Sequence, residues 1–276
     1  MAVSIEDIKK LRNMTGAGMM DCKSALAETN GDIDAAIEII RKKGQAVAAK
    51  RQDRSASEGC VLSAVKPGFG AIVALKCETD FVARNSSFVQ LTKDILEVAM
   101  NNNAKTTEEL MGLMIGDRTV AEKITDEIGK TGEKMELGAY ECIEAPTVAA
   151  YDHLGNKLAT IVGLTAEGVD AAVGREVAMQ VAAMRPLYLN REQVPAEVLE
   201  KEKTILREQA ENEGLDPSKL DMIVNGRVNK YYEEVCLVDQ GFIKENKMKE
   251  MDAIVVETNL LQTISYINHS SHDIEH

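Results

Sequence analysis

A chain of 276 residues can bury a sizeable core in two or three domains. With 45% hydrophobic residues, 4% aromatics and no Trp, that core has to be built from Ala, Val, Ile, Leu and Met. A formal net charge of −13 argues against a nucleic-acid partner, because affinity for phosphates rests on Lys and Arg, and no apolar run reaches membrane-spanning length.

The first segment reads as three short helices. Ser4 caps the first, with Asp7 at its third position and Ile5, Ile8 and Leu11 as its apolar stripe. Thr15-Gly16-Ala17-Gly18 breaks it, and a second helix runs through Met20, Cys22, Ala25 and Leu26 to Asn30-Gly31. Asp32 caps the third, whose face is Ile33, Ala36, Ile37 and Ile40, and Gly44 is predicted to stop it. The basic residues Arg41, Lys42, Lys43, Lys50, Arg51 and Arg54 read as a solvated helix end, and Gln45 to Glu58 as a linker. Residues 1–54 thus form an N-terminal module with its linker.

The period then changes. Cys60 to Val65 and Ala71 to Cys77 are β-prone runs around Lys66-Pro67-Gly68-Phe69-Gly70, a hairpin signal, followed by a turn at Glu78-Thr79-Asp80 and a helix carrying Phe88, Leu91, Ile95 and Ala99. The same order recurs about 85 residues on: Thr147 to Tyr151 and Leu158 to Leu164 flank Asp152 to Asn156, and a helix follows from near Val173 to Met184. The predicted class is therefore α+β, with two similar core subdomains (55–145 and 146–276), each with helices on one face of a small antiparallel sheet. Thr107 to Ile128 reads as one helical insertion. Pro195 to Glu213 and Pro217 to Glu234 read as an antiparallel helical hairpin, with Leu199, Ile205 and Leu206 facing Leu220, Ile223 and Val228.

Enzymatic signatures are missing: there is no Walker A loop, no GxGxxG after a strand and no HExxH. Cys77 lies beside Glu78 and Asp80, whose charges raise a thiol's pKa, so it reads as strand core and not as a nucleophile. Five scattered cysteines without a CxxC, and a start lacking signal-peptide features, predict free thiols and a reducing, cytoplasmic setting. His269, His272 and His276 read as part of a frayed terminus, so neither metal nor cofactor is expected. Three features stand out. Met19 and Met20 are adjacent, and one helix cannot easily bury both. Phe81 sits beside Asp80 where a strand gives way to a helix, the place for a wedge, and His153 sits in the turn of the second hairpin.

The run Leu11-Arg12 with Thr15-Gly16-Ala17-Gly18-Met19-Met20-Asp21-Cys22-Lys23-Ser24-Ala25-Leu26 closely resembles the N-terminal signature of the bacterial elongation factor Ts family. Thr79-Asp80-Phe81-Val82-Ala83-Arg84 resembles its second signature, and the likeness extends through Tyr151-Asp152-His153, Ala178 to Ala183 and Glu234 to Gln240, covering roughly residues 3 to 245. The resemblance implies a ubiquitin-associated-like three-helix module, a core of two similar subdomains and a protruding helical hairpin at about 195–234. It also implies guanine-nucleotide exchange on elongation factor Tu, met in its GDP-bound and nucleotide-free forms, with no bond made or broken. The wedge would be Thr79, Asp80, Phe81 and Val82, with Asp80-Phe81 entering near the magnesium and phosphate site of the GTPase. Arg12, Met19, Met20 and His153 would grip it. The alternative is a scaffold of the same fold that has lost exchange. Gln240-Gly241-Phe242 replaces the family's usual Gln-Pro-Phe, and beyond about Met248 the sequence shows no further likeness.

Overall fold

The computed structural model describes residues 3–243 and the backbone of a strand at 260–268. The three expected N-terminal helices are α1 (Ile5–Thr15), α2 (Met19–Glu28) and α3 (Ile33–Lys50). Ser4 Oγ accepts from the Asp7 N–H at 3.0 Å, and Asp32 Oδ1 accepts from that of Ala35 at 3.0 Å, satisfying amides that a helix start leaves unpaired. Gly16, at φ +70°, ends α1 by donating to the Arg12 carbonyl. Leu11, Cys22, Leu26 and Ala36 form a small core where the helices meet.

The first sheet has three strands and is antiparallel throughout. Strands β1 (Glu58–Lys66) and β2 (Phe69–Cys77) are joined by a tight turn at Pro67-Gly68, where Gly68 has φ +79°. A single helical turn, α4 (Asp80–Ala83), leads into α5 (Ser86–Asn102). The predicted helical insertion is broken in two: α6 (Thr107–Gly112) gives way to a two-stranded hairpin, β3 (Met114–Ile115) and β4 (Arg118–Thr119). Leu113 is extended and Gly116 has φ +68°, so the chain reverses there. Thr119 and Glu122 then form a capping box that starts α7 (Val120–Thr131). Strand β5 (Met135–Glu144), absent from the sequence reading, pairs with the free edge of β2.

The second sheet repeats the plan. Strands β6 (Thr147–Asp152) and β7 (Leu158–Leu164) precede α8 (Ala171–Met184), and β8 (Leu260–Asn268) completes the order β6-β7-β8. That last strand lies beyond Met248, past the end of the likeness read from the sequence. Each sheet carries helices on one face, as expected. Phe88 and Ile95 of α5 pack on Val73 and Leu75, and Val177 and Val181 of α8 pack on Val162 and Leu164. The two remaining faces pack on each other through Val61, Ile72, Ala74 and Ile143 against Ala159 and Ile161. Strand β2 is thus covered on both sides, which is why its sequence reads as a continuous apolar run without alternation.

The helical hairpin consists of α9 (Ala196–Asn212) and α10 (Leu220–Val235), tied by Arg227–Glu213 at 2.6 Å and by the Arg207–Asp221 pair. Its buried residues are Ala210, Leu220, Val224 and Val228. Ile205, expected on the inner face, is exposed. Adjacent residues lie about 100° apart on a helix, so it cannot share that face fully with Leu206.

Gly44 does not stop α3, which continues to Lys50, so the supposed linker begins as helix. The reason is tertiary: Gly44 is buried where α3 crosses α7 at Gly129. The basic cluster is also not simply solvated. Arg41 reaches Asp117 at 3.5 Å, Lys43 pairs with Asp21, and Arg51 and Arg54 reach Glu78 at 3.7 and 2.9 Å.

Candidate functional site

Strand β2 ends at Cys77, and beyond Glu78 the residues Thr79 to Val82 build a tip. Thr79 is the N-cap of α4: its Oγ1 accepts from the Val82 N–H at 3.4 Å. Thr79 is itself held from outside. Its N–H donates to Glu133 Oε2 at 3.1 Å and its hydroxyl to Glu133 Oε1 at 2.6 Å, so one carboxylate takes both donors. Glu78, just before it, accepts from the Lys134 N–H at 2.7 Å as well as from Arg54. Burial raises the Glu78 pKa, but the Lys134 amide and the guanidiniums of Arg54 and Arg51 outweigh it and hold that pKa below the ordinary glutamate value. Glu133 and Lys134 went unrecognised in the sequence, since 54 and 56 residues separate them from their partners.

On this base Phe81 is 83% exposed. A one-turn helix has no second turn onto which the ring can fold, so the side chain projects. Asp80 is half-buried and pairs with Arg84 at 3.3 Å, one turn along. Val82, expected with the wedge, turns inward against the core of the first sheet and anchors the tip. Of the four tip residues Phe81 alone projects fully. Burial first, and the Glu133 carboxylate next, push the Cys77 thiol up to about 12, which leaves it protonated and unfit as a nucleophile at neutral pH.

The other site residues come from different elements. Arg12 is exposed on α1, and Met19 and Met20 open α2 at 49% and 75% exposure. Met14 on α1 is also exposed, at 56%. His153 lies in the β6–β7 turn, its Nδ1 sharing a 2.8 Å hydrogen bond with the Tyr151 hydroxyl. Arg175 stacks on the Tyr151 ring at 5.1 Å, which fixes the phenol that orients the imidazole. The neighbouring Leu154, also missed, is 91% exposed.

The β6–β7 turn lies along β1. Val61 N–H donates to the Asn156 carbonyl at 2.7 Å, Ser63 N–H to Asp152 Oδ1 at 3.0 Å, and Lys157 reaches Glu58 at 2.6 Å. Glu58 is paired in register with Cys77, so the turn and the base of the tip share one end of the first sheet. His269, His272 and His276 lie outside the described residues, among which no helix is long and apolar enough to cross a membrane.

The structure thus exposes an aromatic on a braced tip, two adjacent methionines at the start of α2 and a histidine oriented by a tyrosine. The family model described as Elongation factor TS matches residues 78–268. A protein named Elongation factor Ts from Porphyromonas gingivalis is 55% identical over 249 residues, 90% of each chain. Those of that name from Azobacteroides pseudotrichonymphae and Amoebophilus asiaticus are each 48% identical, over 266 residues (96% of this chain, 97% of the relative) and 252 residues (90% and 91%).

Proposed function

Since the chain belongs to the elongation factor Ts family, we propose that it is a guanine-nucleotide exchange factor that drives GDP from elongation factor Tu by inserting Asp80-Phe81 beside the magnesium and phosphate site. The observation that carries this reading is Phe81, 83% exposed on a helical turn whose cap is held by Glu133. An exposed aromatic on a rigid support loses little conformational entropy on binding, so most of its burial energy remains available to displace a neighbour.

GDP in such a GTPase is held largely by Mg²⁺ and oriented backbone dipoles, so a small displacement of that site removes much of the affinity. Phe81 supplies the wedge area, and Asp80 supplies an acceptor that can exchange Arg84 for donors of the GTPase. Arg12, Met19 and Met20 hold the nucleotide-binding domain from one side and His153 from the other. Exchange then follows from linkage: this chain binds the nucleotide-free GTPase more tightly, and it and GDP weaken each other equally.

Release of labelled GDP from purified elongation factor Tu tests this. The wild-type chain accelerates release. Phe81→Ala slows the stimulated rate about 10- to 100-fold, the equivalent of roughly 1.5–3 kcal/mol of lost Phe burial, and leaves the stability of the free protein within about 0.5 kcal/mol. Unchanged release with stoichiometric wild-type protein would defeat the proposal. A stable complex without faster release would instead mark a scaffold that has lost exchange.

A further inference from the structure

We propose that the crossing of α3 over α7 at Gly44 and Gly129 is a rigid joint that sets the grip and the wedge at a fixed spacing, which makes Gly129 a positioning residue for exchange. The inference rests on the exchange reading above and assigns it a coupling element that lies outside both contact surfaces.

At the crossing, two backbones touch. A Cβ built on Gly129 would stand 2.8 Å from the Gly44 Cα, a backbone atom with no side-chain freedom to give way. A Cβ on Gly44 would lie 3.5 Å from the Gly129 Cα and 3.6 Å from the Thr125 carbonyl, both ordinary contacts. The joint is therefore asymmetric: Gly129 is obligatory, whereas Gly44 is not. A second contact reinforces it, because the aliphatic arm of Lys130 lies over Gly16 at the end of α1, and its ammonium is tied at 2.9 Å to the buried Glu127.

What makes the crossing a joint, beyond simple packing, is where the two helices lead. The end of α3 leads directly to Arg51 and Arg54, which hold Glu78 at the base of the tip. The end of α7 leads within a few residues to Glu133 and Lys134, which hold Thr79 and Glu78. The same two helices therefore carry the N-terminal module, with Arg12, Met19 and Met20, and brace the tip that presents Phe81. Opening the crossing moves the grip relative to the wedge, and a partner seated on one no longer meets the other in register.

Gly129→Ala has to open the crossing by about 0.7 Å to reach an ordinary carbon–carbon contact of roughly 3.5 Å. Helix propensity alone favours Ala at both positions, so a loss at one of them only is a tertiary effect. The test is the dependence of GDP release from elongation factor Tu on the concentration of full-length protein, for wild type, Gly44→Ala, Gly129→Ala and Phe81→Ala. Misplacements near 1 Å can cost on the order of a hundredfold in rate, so Gly129→Ala is expected to lower the maximal stimulated rate about 10- to 100-fold. Forcing the two backbones apart also lowers its melting temperature by a few degrees, whereas Gly44→Ala behaves as wild type. A purely structural role would lower the melting temperature and the active fraction alone, with the maximal rate per folded molecule unchanged. That result, or a wild-type maximal rate in Gly129→Ala beside a slow Phe81→Ala, overturns the joint while sparing the wedge. A fast Phe81→Ala overturns the wedge reading itself. If Gly129→Ala does not fold, Gly44→Val, whose branched carbons press on Gly129 from the other side, takes its place. Failure of both to fold overturns the joint by making the crossing a requirement of folding.

Discussion

Replacing Glu133 by Ala isolates the support of the tip from the tip itself. Two donors of Thr79, its N–H at 3.1 Å and its hydroxyl at 2.6 Å, end on that carboxylate. Hydrogen bonds to a charged acceptor contribute about 1.5–3 kcal/mol each when buried, and the half-buried setting here puts the pair near roughly 2–3 kcal/mol in total. The loss falls on α4, because Thr79 caps it and the amides of Val82, Ala83 and Arg84 bond back to Thr79 Oγ1, the Thr79 carbonyl and the Asp80 carbonyl. Amide hydrogen exchange at those three residues is the direct assay, and at about 1.4 kcal/mol per factor of ten their protection should fall roughly 30- to 150-fold. Stimulated GDP release should fall with it, since a frayed tip must be reordered each time it engages. Unchanged protection at residues 82–84 would refute the idea that Glu133 sets the tip. The substitution also removes the second cause of the high Cys77 pKa, so the thiol becomes easier to alkylate while burial keeps its pKa above 9.0.

The lowered Glu78 pKa makes one part of the stability pH-dependent. The folded state binds the proton less readily than the unfolded chain, so this contribution is complete above the ordinary glutamate value of 4.5 and is lost as pH falls through the depressed folded pKa. Glu78→Gln should therefore cost stability at neutral pH and progressively less below pH 4.5, as read from melting temperature against pH. Gln180 is fully buried on α8, donating to Gln240 Oε1 and the Gly241 carbonyl and accepting from the Ile243 N–H at 3.0 Å. Gln180→Leu orphans those groups and should cost about 2–4 kcal/mol in denaturant unfolding. Gly241→Pro, which restores the family's usual residue, should add about 0.4–1 kcal/mol in the same assay. Gln240 is already extended at φ −70° and ψ 143°, as a residue before proline must be, and a Cβ at 241 meets nothing within 4 Å.

Local chemistry was legible along most of the chain. The caps at Ser4 and Asp32, the αL glycine at 16 and both strand–turn–strand–helix repeats depend on neighbours a few residues apart, and they appear in the structure where their signals stand. Signals went wrong where a long-range contact overrode the local rule. Gly44 reads as a helix stop, yet α3 runs through it where it packs closely on Gly129 of α7. Strand β5 has no hairpin partner adjacent in sequence, so nothing local announces it, and its place at the edge of β2 follows from pairing across some sixty residues. The Thr107–Ile128 stretch reads as one helix because its polarity gives little period, and the hairpin within it turns on a glycine conformation, not on burial.

The site divides in the same way. That Phe81 projects follows from an aromatic placed between a strand end and a one-turn helix, and the exposure of Met19 and Met20 follows from their adjacency. The sequence alone also carries the likeness that names the family, because signatures are local strings. What it cannot carry is the bracing. Glu133 on Thr79, Arg54 and Lys134 on Glu78, and the Gly44–Gly129 crossing each join residues dozens of positions apart. Such pairs are chosen by how whole elements pack, since a salt bridge or a close backbone contact constrains only distance in space and leaves no period in the chain. The sequence determined which residues project from the fold; the tertiary structure decided how rigidly, and at what spacing, they are held.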